Sequence, residues 1–111
     1  MITKRKIKIP IFNYLMIVII FDNWDDLQTH ISKEIFDIPS KGVTIDYDTY
    51  CVICCSPKHE STLVHESGHI KNLIWKYIGY TPQRDNDEVD QYLQTYIYEE
   101  IVKVMNKHLT I

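Results

Sequence analysis

Between Ile9 and Phe21 the chain carries almost nothing but apolar side chains, and isoleucine and valine dominate the run. A transmembrane helix needs about 20 such residues, and Asn13 interrupts this stretch. Phe21-Asp22-Asn23-Trp24 offers no small-residue cleavage site of the kind that ends a signal peptide. β-branched residues are stiff at χ1 and pack well on a pleated surface. The run is therefore expected to be buried strand, over residues 6–12 and 14–21, as a hairpin about Asn13 or one bent strand.

The rest of the chain alternates between the two periods of secondary structure. Asp22 or Asn23 can cap a helix from Trp24 to about Phe36, with Asp25 and Asp26 favourable in its first turn. Pro39 to Gly42 reads as a turn. Val43 to Tyr47 and Tyr50 to Cys55 read as strands about Asp48-Thr49. A helix follows from about 59 or 61 to 78, stopped by Gly79 and Pro82, and a last helix spans about 86–107. The expected fold is a single α+β domain over residues 1–111, a small mixed sheet packed with about three helices. Its 111 residues suffice for one core.

A net charge of −3 gives no global basic field for nucleic acid, and neither nucleic acid nor membrane is expected as a partner. Lys4, Arg5, Lys6 and Lys8 make only a local basic start. Cys51, Cys54 and Cys55 are an odd number in one apolar run, and adjacent Cys54 and Cys55 point to opposite faces of a strand. Free cysteines in a buried strand fit a reducing, cytoplasmic setting.

The chemistry-bearing residues lie on the central helix. His65-Glu66-Ser67-Gly68-His69 spells H-E-x-x-H. Residues four apart on a helix stack with Cβ atoms roughly 5–6 Å apart, which lets both imidazoles reach one zinc ion at about 2.0–2.1 Å. Glu66, one step round, can act as general base on a water. At about 100° per residue, His65 and His69 share a face with Asn72 and Lys76. Leu63, Ile70, Ile74 and Tyr77 form the core face, and Glu66 and Leu73 fall between. On the last helix, Val89, Leu93, Tyr96, Ile97, Ile101 and Val104 make the buried stripe.

A catalytic zinc takes three protein ligands and leaves one position open, and two His with one Glu is an established set. Eighteen residues separate His69 from Glu88, in the first turn of the last helix. The pattern HExxH-x18-E resembles the gluzincin arrangement of thermolysin-like proteases and zinc aminopeptidases. Asn86-Asp87-Glu88-Val89-Asp90-Gln91-Tyr92-Leu93 is similar to their N-E-x-x-x-x-Y helix. His-Glu-x-Gly-His also resembles short HExxH proteases encoded in phage and mobile-element neighbourhoods. The likeness covers roughly residues 60–97. It implies Zn²⁺ held by His65, His69 and Glu88, Glu66 as catalytic base, and a peptide or protein substrate lying along an edge strand, Tyr50 to Cys55. Tyr92 is a candidate for transition-state stabilisation and Asp90 for support of a zinc histidine. Two alternatives stay open: a catalytically silent zincin-like binding module, and a structural Cys2His2 site built from Cys51, Cys54, His65 and His69.

Overall fold

A computed structural model describes residues 1–31, 41–59 and 61–110. Four strands form one mixed sheet in the order β1-β2-β4-β3. Strand β1 (Ile2–Ile9) pairs antiparallel with β2 (Tyr14–Phe21), β2 pairs parallel with β4 (Tyr50–Cys55), and β3 (Gly42–Asp46) pairs antiparallel with β4. Helices α1 (Trp24–His30), α2 (Ser61–Ile78) and α3 (Glu88–Leu109) complete the α+β architecture.

The apolar N-terminal run is a hairpin. Ile9 and Tyr14 face each other across a turn at residues 10–13, where Asn13 adopts φ 54°, a left-handed conformation that asparagine tolerates well. The first strand begins at Ile2 and ends at Ile9, earlier than the expected 6–12, because this turn occupies residues 10–13. Its basic residues belong to an edge strand, where lysines discourage pairing with another chain. Asn23 caps α1 by accepting from the Asp25 amide at 2.8 Å. The helix is shorter than the expected 24–36, for Ile31 is already extended. The remainder of that expectation, and most of the turn at Pro39 to Gly42, lies outside the described residues. Asp48, at φ 69°, forms the tip between β3 and β4, and its amide donates to Asp46 Oδ1 at 2.8 Å. Gly79, at φ 74°, ends α2.

Strand alternation gives the sheet two apolar faces. Tyr14, Met16, Val18, Ile20, Cys51, Ile53 and Cys55 point to the α2–α3 side, and Ile19, Phe21, Val52 and Cys54 to the α1 side. Leu63, Ile70 and Ile74 of α2 and Leu93, Ile97, Ile101 and Val104 of α3 bury the stripes expected of them. Tyr77 and Val89 are exposed instead, lying in the last turn of α2 and the first turn of α3. Trp75 is buried beside them and meets Phe12 edge-on with ring centroids 5.7 Å apart.

His108, which no sequence pattern singles out, fastens the end of α3 to the sheet. Its Nδ1 lies 2.7 Å from the Thr3 hydroxyl and its Nε2 2.8 Å from Asp22 Oδ1, with the imidazole buried. The hydrogen bond from His108, helped by the N-terminal ammonium, holds the Asp22 carboxyl below its ordinary range. A carboxyl whose pKa is depressed by folding stabilises the fold above its unfolded value, near 4, and loses that contribution as pH falls through the folded value. Asp22→Asn is accordingly expected to lower the melting temperature at neutral pH and to flatten its fall on the acid side. Thermal melts of both proteins across an acid series check this.

Candidate metal centre

One turn of α2 gathers the donors. Among the described residues the group able to hold a metal ion is His65, Glu66 and His69, whose ligand atoms all lie within 4.8 Å of one another. The two Nε2 atoms are 3.0 Å apart and the rings nearly perpendicular, at 84°. Tetrahedral zinc with ligands at about 2.0–2.1 Å sets two nitrogens about 3.3 Å apart. A few tenths of an ångström of opening therefore fits the pair to zinc. Both imidazoles are exposed, whereas Glu66 is recessed, with 5% of its surface accessible.

Glu66 is held from the sheet. The Thr44 hydroxyl donates to its Oε2 at 2.6 Å, which leaves Oε1 without a hydrogen bond among the described residues. Thr44 comes from β3, where Gly42, Thr44 and Asp46 share the face turned towards α2. An unpaired buried carboxylate would be costly, so this hydroxyl makes the recessed position tolerable.

Gly42 permits the close approach of β3 to α2. A Cβ there would overlap the Thr62 side chain and sit 3.2 Å from the Cys54 carbonyl oxygen. Two hollows flank the donors along this seam. One, of about 350 Å³, is lined by Gly42, Thr44, Asp46, Glu66, His69 and Asn72 among others. The other, of about 330 Å³, is lined by Lys41, Gly42, Ser61, Thr62, His65 and Glu66. Gly42 and Glu66 are common to both.

The remaining candidate residues lie elsewhere. Glu88 is exposed at the start of α3 and is not part of the donor group. The reason is the way the helices pack. Asp90 accepts from Trp75 Nε1 at 2.6 Å and from Lys71 Nζ at 2.9 Å. Gln94 Oε1 accepts from the same lysine at 3.1 Å. Those contacts seat α3 on the Lys71–Trp75 side of α2, while His69 and Asn72 look towards β3. Asp90 thus supports the helix crossing and bonds to neither histidine. Burial alone would raise its carboxyl pKa, but the Lys71 and Trp75 hydrogen bonds win and lower it. Tyr92 is 70% exposed and lines neither hollow.

Two other expectations are corrected. Tyr50 to Cys55 is an interior strand, flanked by β2 and β3, so the edge beside the histidines is β3. Chain order misleads here because β4 turns back between its hairpin partner and β2. The Cys2His2 arrangement is not assembled. Cys51 and Cys54 are buried on opposite faces of β4, in separate apolar clusters, away from the donor group. Burial pushes their thiols up, to about 11 and about 12, away from the thiolate form that binds metal.

Thr44 is the residue that sequence reasoning missed. Alternation with Val43 and Ile45 places it on the polar face of its strand, but only the β3–α2 packing shows that this face meets Glu66. No family model, curated protein or solved structure matches the chain. No helix among the described residues is long and apolar enough to cross a membrane.

Proposed function

We propose that this chain is a minimal zinc-dependent peptidase, with His65 and His69 holding Zn²⁺ and Glu66 acting as the base. One observation carries the reading. A single helical turn presents two imidazole nitrogens 3.0 Å apart beside a recessed carboxylate whose second oxygen is tied to an edge strand. Zinc, when bound, lowers the pKa of a coordinated water towards about 7 and polarises a carbonyl. Glu66 Oε1 accepts the water's proton and later delivers it to the leaving amine. Thr44 holds Oε2, which steadies the carboxylate within reach of the imidazoles. Among the described residues no strand pairs with the outer side of β3, and its residues 43–46 would offer backbone groups to an extended peptide added as a further strand across the two hollows.

The test is zinc content and turnover of a mixed peptide library by wild type, His65→Ala and His69→Ala. Both variants should lose zinc and hydrolysis together. Wild-type protein free of zinc after incubation with the metal would end the proposal. Glu88→Ala addresses the third ligand. Because α3 sits on the other side of α2, this variant is expected to hold zinc within about twofold of wild type; loss of a true ligand would cost far more. A sharp fall in affinity would restore Glu88 to the metal.

A catalytically silent metal-binding module is the second reading. It is favoured by a donor set that comes entirely from one turn of one helix. Stoichiometric zinc with no peptide cleaved would select it.

A further inference from the structure

The geometry points to an acidic ligand group, a carboxylate carried by the bound peptide, as the occupant of the hollow beside His65; this rests on reading the β3–α2 seam as a peptide cleft. The two hollows differ in what they offer. Asp46 lines the one beside His69, but its carboxylate is already committed, one oxygen to the Asp48 amide at 2.8 Å and the other to Lys76 Nζ at 3.3 Å. That hollow presents no uncommitted charge of its own beyond Glu66.

The hollow beside His65 is rich in donors. Lys41, Ser61 and Thr62 line it, residues whose side chains carry one ammonium and two hydroxyls. Lys41 and Ser61 are exposed, and among the described residues no carboxylate lies within ion-pair distance of Lys41. Glu66 stands on the wall common to both hollows. Like-charge repulsion therefore drives a ligand carboxylate to the far end, against Lys41 and Ser61 rather than against the base. An ammonium with two hydroxyls suits a carboxylate, since charge-assisted hydrogen bonds are about twice as strong as neutral ones. Gly42, which lines this hollow too, keeps it open, for any larger residue would push against Thr62.

Two sources supply that group: an acidic side chain, or the free carboxyl terminus of a peptide. Three fluorescein-labelled peptides of one parent sequence separate them. The first has internal glutamates and an amidated end, the second has glutamines and a free carboxyl end, and the third has glutamines and an amidated end. Binding is read by anisotropy with zinc-loaded and metal-free protein. One of the first two is expected to bind at least about tenfold tighter than the third, and which one does so names the source. Lys41→Glu should abolish that preference, while Lys41→Arg should keep it. Circular dichroism establishes that both variants are folded.

Equal affinity for all three peptides, no binding of any, or a preference unchanged in Lys41→Glu would each overturn the inference. Zinc content measured on the same samples keeps the two proposals apart. Protein that takes up no zinc but keeps the Lys41-dependent preference retains the subsite and loses the peptidase reading.

Discussion

Glu66→Gln is expected to keep zinc and to lose hydrolysis by roughly 10²–10⁴-fold, the range that a positioned general base contributes. The structure makes this substitution unusually clean. Glutamine has the size of glutamate, and its amide oxygen can still accept from the Thr44 hydroxyl that now reaches Oε2 at 2.6 Å. The amide nitrogen then takes the place of Oε1. It donates where the carboxylate accepts, so it cannot take a proton. The Nε2 atoms of His65 and His69 belong to exposed rings that make no hydrogen bond to this carboxylate. Metal analysis beside a turnover assay reads both halves of the prediction. Zinc lost along with activity would make Glu66 a ligand rather than the base.

How far the sequence reaches depends on whether a feature is periodic or requires knowledge of packing. The strand at Tyr14–Phe21 is legible from its unbroken apolar run, rich in β-branched and aromatic residues, and the histidine face of α2 from its period of 3.6. So is the opposition of Cys54 and Cys55 across the sheet. Strand order is not local. Nothing in Tyr50–Cys55 says that it lies between β2 and β3, because parallel pairing with β2 joins segments that turn chemistry does not connect. The same limit explains Thr44 and Glu88. A hydroxyl from β3 reaches Glu66 because the sheet lies under that side of α2. A glutamate at favourable spacing stays apart because α3 lies against another. Spacing sets how far along the chain a ligand stands, whereas the side of the helix on which it arrives is set by Asp90, Lys71 and Trp75. His108 shows the same limit at the other end of α3: its partners Thr3 and Asp22 are 105 and 86 residues away in sequence.

Ile101→Ala is expected to destabilise the fold by about 2–5 kcal/mol, the range for truncating a fully buried isoleucine. Ile101 is 0% exposed and belongs to the core cluster shared by α2, α3 and the sheet. Removing it leaves a void in that cluster, which close packing fills only in part. For a domain of about 100 residues, 1 kcal/mol moves the melting temperature by roughly 4–8 °C, so the shift should exceed about 8 °C. The site should respond differently. The donors His65, Glu66 and His69 all stand on α2, and the hydroxyl that steadies Glu66 comes from β3. No residue of α3 lines either hollow beside them. Zinc bound per folded molecule, measured well below the transition, should therefore match wild type even as the fold weakens. If Ile101→Ala instead lowers zinc affinity in protein that is still fully folded, α3 contributes to the metal site and Glu88 becomes the first residue to re-examine. The two measurements separate a helix that stabilises the scaffold from one that supplies a ligand.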